Sequence, residues 1–248
     1  IMKREEDGSA KFAEAMRIKA FSYEGIGDFN SALIAVNAAN KNDPEHKFSK
    51  LFGGRINMML GDFKKAIQNV NTFVNLDMEA PSGQNEHTAT IQWMTGAAVI
   101  AKTGDIEAYK EYCQNMFNRF PSIKNQAFCE RVAKGSLMLN TDTQQIKIAR
   151  DYALRSMKAT NGSTGGFYNW TCFCVGLAEY RSGDLKEAER WCDESLNYTP
   201  DSHQWLPGLN NALLSIIYHE TNRKSESVES LEIAKQCQIN LKGIRNGL

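Results

Sequence analysis

The sequence has no long apolar run. Its longest apolar stretches, GAAVIA at 96–101 and ALLSIIY at 212–218, are much shorter than the roughly 20 residues that a membrane-spanning helix needs. The opening segment IMKREEDGSAKF lacks the apolar core of a secretory signal, and a start at Ile1 is consistent with a processed form or a fragment. We therefore expect no membrane insertion and a cytoplasmic protein.

Net charge is also absent. Lys plus Arg and Asp plus Glu each number 29, so the chain has no overall field that would attract nucleic acid. No nucleic-acid partner is expected.

Residues that carry chemistry are few and scattered. The four histidines are not paired with each other or with a cysteine at ligand spacing, and the six cysteines are spread through amphipathic segments, as reduced thiols would be. No G-x-S-x-G, H-E-x-x-H or P-loop lysine occurs. We expect a non-catalytic protein with no metal and no cofactor.

Proline is rare, and its positions are informative. Pro44, Pro81, Pro121 and Pro200 each follow a run in which apolar or small residues recur at spacings of three and four. Alternation with a period of two is not sustained anywhere. These patterns predict an all-α chain whose prolines separate helices.

A short phrase recurs four times, as GDFNSA at 27–32, GDFKKA at 61–66, GDIEAY at 104–109 and GDLKEA at 183–188. Glycine can take the left-handed conformation that ends one helix, and aspartate can accept a hydrogen bond from the free amides that begin the next. Each phrase therefore predicts a tight helix-turn-helix. The fifth residue after each glycine, usually alanine, is expected where the two helices approach closely.

The spacing of these phrases carries a family resemblance. Gly27 and Gly61 are 34 residues apart, the period of the tetratricopeptide repeat. One full unit resembles that family's pattern through Ala20, Tyr23, Gly27, Ala32, Val36, Ala39 and Pro44. The third unit requires an insertion within 78–87, and the sixth has Asn222 in place of the turn glycine.

The resemblance implies an all-α, right-handed superhelical solenoid of about six antiparallel helix pairs. We expect a single domain over 1–248, with units near 13–46, 47–80, 90–123, 125–158, 167–200 and 205–238. The C-terminal half, from ERVAKGSLML to RWCDESL, also resembles the tetratricopeptide tails of bacterial serine/threonine kinases, although no kinase motif is present.

The family resemblance also implies a function. Stacked helix pairs present a concave groove lined by the first helix of each pair, which in this family binds a protein or peptide. Two alternatives stay open at this point: a separated regulatory or docking tail of a bacterial kinase, and a receptor for a small ligand or signalling peptide. The identity of the partner and the oligomeric state are also open.

Candidate binding residues come from the first helices. Trp170, Tyr180 and Arg181 in the fifth unit have the composition of a binding hot spot, and the alternative is that the rings simply pack between helices. Arg17 and Arg55 occupy places comparable to a carboxylate clamp in some family members, but the paired asparagines of that clamp are missing. The alternative for both arginines is that they are solvated surface charges. Lys134 is the sixth candidate partner-binding residue.

Overall fold

A computed structural model describes residues 2–80, 85–200 and 205–246. This part of the chain is entirely helical, without a strand. Its helices are α1 (Met2–Gly25), α2 (Phe29–Asn42), α3 (Lys47–Met59), α4 (Phe63–Glu79), α5 (Glu86–Thr103), α6 (Ile106–Arg119), α7 (Gln126–Ser136), α8 (Thr143–Lys158), α9 (Tyr168–Ser182), α10 (Leu185–Asn197), α11 (Trp205–Glu220) and α12 (Lys224–Asn246). The all-α prediction is confirmed.

Consecutive helices pack as pairs, from α1 with α2 to α11 with α12. The turns between them follow the sequence signal. Gly27, Gly61, Gly104 and Gly183 have φ values of 79°, 80°, 76° and 88°. The aspartate after each one accepts a hydrogen bond from the backbone amide three residues on, at 3.0 to 3.1 Å. At all four turns the prediction is confirmed that glycine ends one helix and aspartate begins the next. In the sixth helix pair, Asn222 takes the left-handed conformation at the turn, with a φ of 62°.

The fifth residue after each turn glycine is buried, as predicted. Ala32, Ala66, Tyr109 and Ala188 are all fully inaccessible. In the fifth pair, a Cβ placed on Gly176 would lie 3.2 Å from the Ala188 carbonyl oxygen and 3.2 Å from the Cys192 Sγ. The two helices therefore approach so closely that only glycine fits at position 176 without displacement.

The chain divides into two compact units, unit 1 (Ile1–Pro121) and unit 2 (Ser122–Leu248). In unit 1, a cluster that includes Val36, Phe52 and Ile56 fills the space between α1, α2 and α3. In unit 2, Phe173, Leu206 and other residues of α9, α10 and α11 form a second cluster. The prediction of a single domain stays a prediction.

The predicted insertion between the second and third pairs is described only in part. Met78 and Glu79 end α4, and Glu86 and His87 begin α5. Residues 81–84, which include the predicted helix-ending Pro81, lie outside the described residues.

The cysteines do not pair with one another, and five of the six are buried. Burial raises the pKa of Cys113 and of Cys172 to about 12 and that of Cys129 to about 11. Within the described ranges, none of the helices combines the length and apolar character that crossing a bilayer requires.

Candidate partner-binding surface

The first helices of the three pairs in unit 2 lie side by side, because α7 packs on α9 and α9 on α11. Contacts between their side chains join them into one surface. We call this the first-helix surface of unit 2 and define it by Lys134, Trp170, Tyr180, Arg181 and Glu220.

The Trp170 end of this surface combines an aromatic ring with an ion pair. The Lys134 ammonium lies 4.5 Å from the centre of the Trp170 ring and also pairs with the Glu130 carboxylate. Burial raises the pKa of Glu130, although the charge of Lys134 opposes the shift. Trp170 is half-buried and packs against the core cluster of unit 2, so its ring is only partly available.

The Tyr180 end contacts the next first helix. The Tyr180 hydroxyl donates a hydrogen bond to the Glu220 carboxylate at 2.9 Å, and the ring is half-buried against the same core cluster. Burial and the neighbouring Glu220 carboxylate raise the pKa of Tyr180. Tyr180 therefore links α9 to α11 and is not fully buried.

Arg181 is bound to the chain itself. Its Nε donates to the Leu137 carbonyl oxygen at 3.1 Å and its Nη2 to that of Met138 at 3.0 Å. These carbonyls follow the end of α7, where backbone acceptors lack helical partners. The guanidinium thus caps α7 while lying 5.6 Å from the centre of the Tyr180 ring.

A cleft of about 290 Å³ opens at the Tyr180 end of this surface. It is lined by Asn140, Tyr180, Arg181, Gly183, Leu185 and Glu220. Its walls therefore offer an amide, an aromatic ring and charges of both signs, which suits a ligand with both donors and acceptors.

Four of the six predicted site residues thus lie on the neighbouring helices α7 and α9, Lys134 with Trp170 at one end and Tyr180 with Arg181 at the other. Of their neighbours on α9, Phe173 is buried in the core and Leu177 is half-buried against it. Neither ring of the predicted hot spot is wholly core or wholly exposed.

The other two predicted residues belong to unit 1 and form ion pairs there. Arg17 is only 7% exposed and pairs with Glu14 at 2.8 Å and Asp43 at 3.0 Å, so it is not a solvated surface charge. The Arg55 Nη2 lies 2.5 Å from the Glu24 carboxylate, and its guanidinium lies 4.9 Å from the centre of the Phe52 ring.

Sequence reasoning missed Glu130, Asn140 and Glu220. Glu130 and Lys134 are four residues apart on one helix, a spacing that favours an ion pair and was available as a signal. Asn140 and Glu220 have no comparable local spacing, because the residues that they meet at the cleft, Tyr180 and Arg181, lie far away in the sequence on α9. Among the described residues there is no group of three or more His, Cys, Asp or Glu side chains that could hold a metal ion.

Comparison with known proteins gives structural similarity only. No protein-family model and no curated protein matches the sequence. Among solved structures, PilF of Pseudomonas aeruginosa has a TM-score of 0.53 at 11% identity, covering 97% of this chain and 95% of that chain. The apo form of RapI has a TM-score of 0.52 at 11% identity, covering 93% and 99%.

A chain of the Cut9–Hcn1 APC/C hetero-tetramer has a TM-score of 0.53 at 11% identity, and 44% of that longer chain is covered. The predicted all-α arrangement of successive helix pairs is confirmed by the structure, and these similar structures share its fold. Structural similarity at identities this low shows the fold alone, so the function has to be argued from the site.

Proposed function

We propose that the chain is a non-catalytic helical-repeat scaffold that binds an extended protein or peptide segment on the first-helix surface of unit 2. The observation that carries the proposal is the pair of half-buried rings, Trp170 and Tyr180, each placed beside a charged side chain at the margin of the core. Rings fixed in this way offer apolar area to a partner at little cost in conformational entropy.

The charges on the surface favour a polypeptide over a charged small molecule. Lys134 and Glu220 carry opposite signs at the two ends, and the cleft at the Glu220 end is lined mainly by polar groups. A peptide offers backbone donors and acceptors along its whole length and can meet both ends together. Arg181 supports this surface by fixing the end of α7 beside the cleft.

The fold supports the same proposal by analogy. Stacked helix pairs present long surfaces, and the Cut9–Hcn1 chain, which has a similar fold, belongs to a protein assembly. A separated kinase tail would use such a surface for docking, and it stays a hypothesis that the genomic sequence upstream would test. A small-ligand receptor is less well supported, because the cleft is at the small end of ligand pockets and is mainly polar.

Site-directed photo-cross-linking tests the location of the surface. Partners would be recovered from the source cell by pull-down and identified by mass spectrometry. A photoreactive residue would then be placed at Asn140, which lines the cleft, and at Lys186, an exposed position on the second helix α10. We expect the purified partner to cross-link from position 140 and not from position 186. Equal cross-linking at both positions, or cross-linking at 186 alone, would place the interface elsewhere.

A further inference from the structure

Unit 1 contains a second cleft with a different chemistry. It has a volume of about 340 Å³, within the range of ligand clefts, and lies between the second helices α2 and α4 over the end of α3. We call it the amide cleft and define it by its lining residues, which are Leu33, Asn37, Asn57, Lys65, Gln68 and Asn69. Four of these six side chains are primary amides, and Asn40 lies nearby on α2.

Asn57 makes this cleft unusual. Its side chain is 2% exposed, and its Nδ2 donates to the Gly53 carbonyl oxygen at 2.9 Å. Its Oδ1 is buried without a hydrogen-bond partner, as is the Oδ1 of Asn40. A buried acceptor without a protein donor destabilises the folded chain, and a donor supplied from the cleft would offset this cost.

The backbone of α3 gives the surrounding amides room to converge. A Cβ on Gly53 would lie 3.3 Å from the Asn69 Nδ2 and 3.8 Å from the Asn40 Nδ2. Because glycine lacks this atom, amides from α2 and α4 lie directly against α3. Donors and acceptors from three helices are thereby concentrated at one place.

The lining residues select the class of ligand. No carboxylate lines the cleft to hold a cation, and its one cationic side chain, Lys65, already pairs with Asp62 at 2.8 Å. No aromatic ring is present on which a nucleobase or sugar would stack. What remains is an uncharged ligand with alternating donors and acceptors, the pattern that a peptide main chain offers and that primary amides can match.

We propose that the amide cleft binds the main chain of an extended, uncharged polypeptide segment. The site is independent of the first-helix surface of unit 2, since it lies in the other unit and is lined by α2, α3 and α4. Either binding site can therefore fail its test while the other stands.

Nuclear magnetic resonance of side-chain amides tests this directly. The probe is acetyl-Gly-Ala-Gly-Ala-amide, an uncharged tetrapeptide with blocked ends, titrated into uniformly ¹⁵N-labelled protein. We expect saturable shifts in the side-chain NH₂ signals of Asn37, Asn57, Gln68 and Asn69. Asn69→Leu should weaken this binding about tenfold or more, since it removes both a donor and an acceptor. The matched control Asn75→Leu, at an exposed site on α4 outside the cleft, should leave the affinity unchanged.

Asn57→Leu separates a binding role from a structural one. Leucine has nearly the same shape and removes the unpartnered acceptor, so the free protein should melt at an equal or higher temperature. The same variant should lose binding of the tetrapeptide. Absence of peptide-dependent shifts in the wild type would overturn the proposal. So would an Asn69→Leu variant that binds like Asn75→Leu, or shifts produced by maltotetraose and not by the peptide.

Discussion

A single carboxylate joins four helices of unit 1. Asp77 on α4 is fully buried and accepts hydrogen bonds from Lys47 on α3, from the Trp93 Nε1 on α5 at 2.7 Å and from the Arg119 Nε on α6 at 2.9 Å. Burial alone would raise the pKa of Asp77, but the three donors outweigh it and hold the pKa below its ordinary value. The charged form is therefore part of the folded structure.

Asp77→Asn should destabilise the protein by about 3 kcal/mol or more, because it leaves Lys47 and Arg119 without their shared counter-charge. The depressed pKa also sets the acid response. The stabilisation by Asp77 is present above the unfolded-state pKa, about 3.9, and is lost as pH falls through the lower folded-state value. Urea unfolding from pH 7 down to pH 3 measures both effects, and the acid-dependent loss should be smaller in the variant.

Asp151→Asn provides the matched control for this measurement. Asp151 pairs with Arg155 on the exposed face of α8, and surface pairs of this kind contribute about 0–1 kcal/mol. If Asp77→Asn cost no more than Asp151→Asn, the cluster around Asp77 would not stabilise unit 1 as described.

At the scale of the helix pair, close approach of the backbones decides stability. Ala188→Leu should destabilise the protein by about 1–3 kcal/mol, because the larger side chain cannot be placed where α10 meets α9 at Gly176. Thermal unfolding followed by circular dichroism measures the loss. Ala212→Leu, at an exposed position of α11, is the control and should change the melting temperature little. Equal melting of the two variants would mean that α9 and α10 do not pack in this register.

The helix pairs were predictable because their signals are local. A left-handed glycine followed by a capping aspartate depends on a few neighbouring residues, and all four such turns have the predicted geometry. The spacing of 34 residues then related the first turn to the second, and the third was placed only by allowing an insertion. Packing at Ala188 was also predictable, since its position relative to Gly183 is fixed by the helix itself.

At the scale of the whole molecule, the candidate site was only partly predictable. Trp170, Tyr180 and Arg181 follow from composition and helical spacing on one helix. The partners of these residues do not, because Arg181 binds carbonyl groups 43 and 44 residues away, and Tyr180 binds Glu220 40 residues away. The sequence placed Arg181 among the candidate binding residues, whereas in the structure its guanidinium donates to carbonyl groups just after the end of α7. The Asp77 cluster was missed for the same reason, since Arg119 is 42 residues from Asp77.

The measurement that tests the proposed function most directly compares two tryptophans of the fifth pair. Trp170 on α9 belongs to the first-helix surface of unit 2, whereas Trp191 on α10 is also half-buried and has the Arg190 guanidinium 4.0 Å from the centre of its ring. Affinity for the purified partner and the melting temperature would be measured for Trp170→Ala, Trp191→Ala and the wild type. We predict that Trp170→Ala weakens binding by about 2 kcal/mol, roughly 30-fold in Kd, and that Trp191→Ala binds as the wild type does. Wild-type affinity in Trp170→Ala, or an equal loss in both variants, would contradict a binding role for this surface.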